Sequence, residues 1–60
     1  MTRPYAATRL LELGPLTFGD FRAITGWPSY IADTVLRRLI GRDAVTIKNI
    51  NGRRHYALAS

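Results

Sequence analysis

Apolar residues recur along this chain first at helical spacing and then, towards its end, at every second position. In the opening stretch Ala6, Leu10 and Leu13 carry the apolar positions, with Ala7 and Leu11 beside them. That spacing marks one face of a helix. Thr2 is placed to cap it, and Pro4 is tolerated in the first turn, where the missing N–H has no helical partner. Gly14-Pro15 stops it, with glycine suited to a left-handed residue past the helix end and proline unable to continue. The pattern predicts a first helix over about residues 4–13. A second opens after Thr17, whose hydroxyl can accept from the amide three residues on, where Asp20 gives a shortened carboxylate form of the capping box. Phe18, Phe21 and Ile24 supply its apolar stripe and Thr25-Gly26 ends it, for a helix over 18–25. A helix of about two turns is stable only when packed against neighbours.

Pro28 suits the first position of a third helix, predicted over about residues 28–41. Ile31, Val35 and Leu39 repeat every four residues, and Ala32 and Leu36 widen the stripe to the roughly 100° of a core-facing helix. The opposite side is then built from Tyr30, Asp33, Thr34 and Arg37, with Ser29 and Arg38 on its flanks. From Val45 the period changes. Val45, Ile47, Tyr56 and Leu58 alternate with Thr46, Lys48, His55 and Ala57, which is strand spacing. Asn51-Gly52 between the two runs is a strong hairpin signal, because a type I′ turn needs positive φ at both central residues. A two-residue turn there pairs Ile50 with Arg53, Ile47 with Tyr56 and Val45 with Leu58, and so puts the four apolar side chains on one face. Turn chemistry and hydrophobic pattern select the same register. A lone hairpin is marginal in water, so the apolar face of this one, over about 45–58, is expected to lie on the helices.

The order helix, helix, helix, hairpin is an α+β arrangement, and 60 residues leave room for one domain spanning 1–60. A chain this short buries only about 60% of the surface its unfolded form exposes. With no cysteine, neither disulfides nor thiolate metal sites can staple it. No apolar run approaches the roughly 18 to 20 residues of a spanning helix. The opening Met1-Thr2-Arg3-Pro4-Tyr5 lacks the apolar core of a signal peptide, so a cytoplasmic location is expected. Charge sharpens the reading: nine Lys and Arg stand against four Asp and Glu, for a net charge of +5. All but Lys48 of these cations are arginine, whose planar fork suits phosphate oxygens and guanine edges. A basic balance alone also fits an anionic membrane or an acidic protein.

Three blocks, in order, carry a resemblance to a known superfamily. They are Thr25-Gly26-Trp27-Pro28-Ser29 through Val35-Leu36-Arg37-Arg38-Leu39, the exit Ile40-Gly41-Arg42-Asp43-Ala44-Val45, and the return Arg53-Arg54-His55-Tyr56-Ala57-Leu58. Together they resemble the winged helix-turn-helix regulators of the MarR-like and ArsR-like kind, here in a minimal form with a C-terminal two-stranded β-hairpin wing. Asp43 stands where the family usually has glycine, and Trp27-Pro28 replaces small polar residues of the turn. The long dimerisation helices of the MarR-like proteins have no counterpart in this sequence, so their dimer mode and ligand pocket do not carry over.

The resemblance implies double-stranded DNA binding by a small transcriptional regulator, with the third helix in the major groove. Ser29, Tyr30, Thr34, Arg37 and Arg38 are its candidate DNA-binding residues, and Arg37 is the candidate for a guanine or phosphate contact. The plainer reading makes Arg37 and Arg38 solvated residues that favour the helix dipole. Asp33 is expected to pair with Arg37 at four-residue spacing. In the wing the candidates are Lys48, Asn51, Arg53, Arg54 and His55, with Arg53 at the tip, where it could enter the minor groove or grip the backbone. Arg3 and Arg9 could add backbone contacts, although Arg9 could equally pair with Glu12. His55, the only histidine, is expected beside Lys48 across the hairpin rather than on a metal. Phe18 and Phe21 are expected in the core and Trp27 over the junction of helices two and three, while Ile50 is left exposed near the tip. No nucleophile–base pair or phosphate-cradling loop points to an enzyme, and no cofactor or small-molecule ligand is evident. Two rivals share the fold: a winged helix that binds a protein partner, and a phage- or plasmid-type accessory factor of excisionase-like or packaging kind. One such domain covers a half-site, so a homodimer or a partner is expected, docking through what Tyr5 and Leu11 leave exposed on the first helix.

Overall fold

A computed structural model describes residues 2–59 as three helices followed by a two-stranded antiparallel sheet, an α+β arrangement consistent with a helix-turn-helix and a β-hairpin wing. The elements are α1 (Arg3–Leu11), α2 (Phe18–Thr25), α3 (Ser29–Gly41), β1 (Val45–Ile50) and β2 (Arg53–Leu58). Both expected threonine caps form: the Thr2 hydroxyl accepts from the Tyr5 amide at 3.3 Å and the Thr17 hydroxyl from the Asp20 amide at 3.2 Å.

Three helix limits differ from the sequence reading: α1 begins at Arg3, directly after its Thr2 cap, and proline bears on the other two. α1 stops at Leu11, and the chain leaves it through i→i−3 bonds from Leu13 to Leu10 and from Gly14 to Leu11. The residue before a proline is kept out of the helical region, and Gly14 accordingly takes φ +139°, beyond the left-handed helical well expected for it. Pro28 sits just outside α3 as its cap, with ψ 153°, so the helix proper begins at Ser29.

α3 ends in a Schellman motif. The Ala44 amide donates to the Leu39 carbonyl at 2.9 Å and the Asp43 amide to the Ile40 carbonyl at 3.0 Å. Asp43 takes φ 60°, the left-handed conformation its position demands. This tight exit fixes the direction in which the hairpin leaves the helix. Asn51 and Gly52 both have positive φ, and the register pairs Val45 with Leu58, Ile47 with Tyr56 and Ile50 with Arg53, as turn and pattern require.

The core is built from Ala7 and Leu11 of α1, Phe21 of α2, Ala32, Val35, Leu36 and Leu39 of α3, and Val45 of β1. Phe21 is fully buried, with Trp27 edge-on to its ring at a centroid distance of 5.7 Å. Trp27 thus covers the α2–α3 junction, and Phe18 leans on Tyr56 at 6.4 Å. Five apolar expectations are corrected. Leu13, past the end of α1, is 86% exposed, and Ile24 on α2 is 59% exposed. Ile47 shares the face of Val45 but is 40% exposed, because the helices cover only the base of the hairpin. Ala57, on the opposite face and expected outward, is buried. Leu11, expected to leave a docking surface on the first helix, is buried in the core, whereas Tyr5 is exposed.

β2 also gains a neighbour that the pattern did not announce. Leu16, between α1 and α2, exchanges two backbone bonds with Tyr56, at 3.0 and 2.7 Å. β2 is therefore flanked on both sides at Tyr56, which ties the helices to the hairpin.

The link from α2 to α3 is three residues, Gly26 to Pro28, and it hinges on Gly26 at φ +74°. A Cβ added there would meet nothing within 4 Å, so the only penalty is the backbone conformation. Gly26→Ala is expected to lower stability by about 1 kcal/mol, read from urea or thermal unfolding.

Candidate nucleic-acid interface

Burial divides α3 lengthwise. Ala32, Val35, Leu36 and Leu39 face the core, whereas Ser29, Tyr30, Thr34, Arg37 and Arg38 are all exposed. Tyr30 is 73% exposed. The sequence placed Tyr30, Thr34 and Arg37 on the outer side of the helix and Ser29 and Arg38 on its flanks, and all five are exposed.

Hydrogen bonds define what each group still offers. Thr34 donates its hydroxyl proton to the Tyr30 carbonyl at 2.7 Å, so it can only accept from a ligand or present its methyl group. Arg37 is held by Asp33, with Nε 2.9 Å from a carboxylate oxygen, as four-residue spacing implied. Arg38 makes no ion pair among the described residues. Arg22, on α2, donates Nε–H to the Trp27 carbonyl at 3.2 Å and so steadies the turn that precedes α3.

The start of α1 comes alongside this face. Thr2, Arg3, Pro4, Ile31 and Val35 line a groove of about 690 Å³ with Tyr30, Thr34 and Arg38. Arg3 thereby joins the α3 residues, a placement that no local pattern could show because it is made by the α1–α3 packing. Arg9 is drawn elsewhere, into a 3.2 Å pair with Glu12.

In the hairpin, Lys48, Asn51, Arg53 and Arg54 are exposed and His55 is half-buried. Lys48 lies directly opposite His55, and Asn49 opposite Arg54. His55 Nδ1 is 2.9 Å from the Arg53 carbonyl, and a carbonyl can only accept, so this nitrogen donates. That bond turns the imidazole back on its own strand, close to the turn.

Ion pairs hold two of the nine cations, Arg9 and Arg37, which leaves seven without a carboxylate partner among the described residues. Those seven are Arg3, Arg22, Arg38, Arg42, Lys48, Arg53 and Arg54. They run from the start of α1 across α2 and α3 to the wing tip, so the excess charge is exposed rather than neutralised. Comparison of the chain with family models, curated proteins and solved structures gives no match. No helix among the described residues is long and apolar enough to cross a membrane.

Proposed function

We propose that this protein is a small double-stranded DNA-binding regulator of winged helix-turn-helix type, acting in the cytoplasm, with α3 as the major-groove helix and the hairpin as a basic wing. The observation that carries this reading is the division of α3: one side is committed to the core, and the other presents Tyr30, Thr34, Arg37 and Arg38 to solvent. That outer side combines a stacking ring, an acceptor and two guanidinium forks, the chemistry needed for base edges and phosphates. Arg53 and Arg54 follow the turn at the wing tip, where phosphate contact is the commoner role for such cations. The long dimension of the molecule, 31 Å, spans about nine base-pair steps of about 3.4 Å, enough for one half-site.

Asp33 is the one carboxylate on the α3 side that would face DNA, and it restrains Arg37. Asp33→Asn is expected to strengthen binding to any duplex by about two- to fivefold at low salt, through one fewer repulsive charge and a freed guanidinium. The pair is solvent-exposed, so stability is expected to change by no more than about 0.5 kcal/mol. Fluorescence anisotropy with a labelled duplex reads the first effect and thermal unfolding the second.

The direct test is an NMR titration of labelled protein with random-sequence duplex at low and moderate salt. Amide shifts confined to Ser29–Arg38 and Lys48–His55, with weaker binding as salt rises, are the expected result. Silence of both segments at low salt would remove the DNA reading in favour of a protein partner.

A further inference from the structure

Cross-strand partners, and residues two apart along a strand, share one face of a hairpin. Lys48 lies opposite His55 and Ile50 opposite Arg53, so the register gathers Lys48, Arg53 and His55 on one face beside the turn. Arg54, opposite Asn49, belongs to the other face. No carboxylate pairs with any of the three among the described residues. Histidine is the side-chain type that ordinarily changes charge between pH 5 and 8, and His55 is the only one in the chain.

One hydrogen bond decides what the ring of His55 can offer. Nδ1 donates to the Arg53 carbonyl at 2.9 Å, so in the neutral imidazole the proton sits on Nδ1 and Nε2 carries a lone pair. Nε2 has no hydrogen-bond partner among the described residues, and none of their unpartnered side-chain nitrogens is buried, so Nε2 opens to solvent. A phosphate oxygen only accepts. Neutral His55 therefore presents it with a lone pair and no donor. Protonation adds a donor and a charge at Nε2 while the Nδ1 bond stays in place. Moving the neutral ring's proton to Nε2 instead would leave the Nδ1 lone pair facing the carbonyl oxygen across 2.9 Å.

We propose that the wing takes up a proton on His55 when it binds duplex DNA. The phosphate backbone is held by Lys48, Arg53 and His55 together when the ring is imidazolium, and by Lys48 and Arg53 alone when it is neutral. This inference rests on the DNA reading above and adds to it a pH dependence whose sign the geometry sets. The charged groups around the ring are all cations, Lys48 across the ladder and Arg53 and Arg54 beside it in β2. Tyr56, the next residue, turns to the other face and meets Phe18. The helices send the ring no hydrogen bond or ion pair among the described residues. Protonation thus makes a third cation on one small face, and a phosphate lying across that face offsets the repulsion among the three. The coupling is reciprocal: DNA favours the protonated ring, and the protonated ring favours DNA. Binding strengthens as pH falls.

The test is fluorescence anisotropy of a labelled random-sequence duplex with the full chain, at constant ionic strength, at about pH 6 and about pH 8. Binding about fivefold tighter at the lower pH is expected, with a salt dependence steeper there by up to about 0.9 for the added contact. His55→Gln is expected to bind alike at both pH values, at the weaker affinity. His55→Lys, which keeps a cation at this position, is expected to bind alike at both and at the tighter affinity. The parent chain supplies a readout that needs no variant to fold: the NMR signals of the His55 ring are expected to turn to imidazolium at higher pH with duplex than without it. Tight binding that is the same at both pH values overturns the proposal and leaves the DNA reading standing, as does a pH dependence that His55→Gln retains. A ring that titrates alike with and without duplex overturns it too. Absence of binding at both pH values overturns the proposal and the DNA reading together.

Discussion

Phe21→Ala is expected to leave most of the chain unfolded at room temperature. Phe21 is one of the two largest side chains that the fold encloses completely, the other being Leu36, and it joins α2 to the rest of the core. Truncating a buried phenylalanine costs about 3–5 kcal/mol, through lost transfer energy and the cavity left behind. A core in a chain of this size rarely supplies more than about 3–5 kcal/mol in total. No disulfide can absorb the loss, because the chain has no cysteine. The neighbouring Trp27 ring supplies the measurement, since its fluorescence reports separation from the Phe21 site. The expected signal is an unfolded-type emission in buffer, without a cooperative urea transition. Phe21→Leu, which keeps most of the volume, is expected to cost about 1 kcal/mol and to retain the transition at lower urea. A cooperative transition for Phe21→Ala close to that of the parent would show that α2 does not depend on this contact.

The same residue shows why the sequence was legible in one place and misleading in the next. Phe18, Phe21 and Ile24 are spaced by three, and at about 100° per residue each such step drifts by about 60° around the helix. Phe21 lands in the core, Phe18 at its margin and Ile24 in solvent, two steps from Phe18. In α3 the spacing of four is kept in phase by flanking Ala32 and Leu36, and there the buried and exposed sides fall where the pattern puts them. The hairpin register was legible because Asn51-Gly52 and the alternation of apolar residues each specify it. Its depth of burial was not, since that depends on how far the helices extend over the sheet. Leu16 had no signal at all, because a single bridging residue has no period. The candidate site followed the same division. Tyr30, Thr34, Arg37 and Arg38 came from periodicity, whereas the approach of Arg3 to them arises from tertiary packing of α1 on α3.

Salt is expected to have the largest effect on binding. Each phosphate neutralised on a duplex releases condensed counterions, and the logarithm of affinity falls with that of salt at about 0.9 per contact. Arg37, Arg38, Lys48, Arg53 and Arg54 are the five cations of the proposed helix and wing surfaces, and only Arg37 is tied to a carboxylate. Five contacts give a slope of about −4.5, so a fourfold rise in salt lowers affinity by about 500-fold. Replacing Arg53 and Arg54 together by alanine is expected to reduce the slope to about −2.7 and to weaken binding to all sequences alike, since wing-tip cations contact phosphate rather than bases. Replacing Tyr30 by alanine is expected to leave the slope unchanged, because the ring carries no charge. Anisotropy titrations of the parent and both variants, each at several salt concentrations, separate these cases. A parent slope near zero would mean that the exposed arginines do not meet phosphates. The exposed Tyr30 and the apolar residues of the wing would then become the surface to explain, and a protein its expected partner. A steep slope that survives the double substitution would instead move the contacts to α3 and the start of α1, with Arg3 and Arg38 on either side of their shared groove as the next cations to replace.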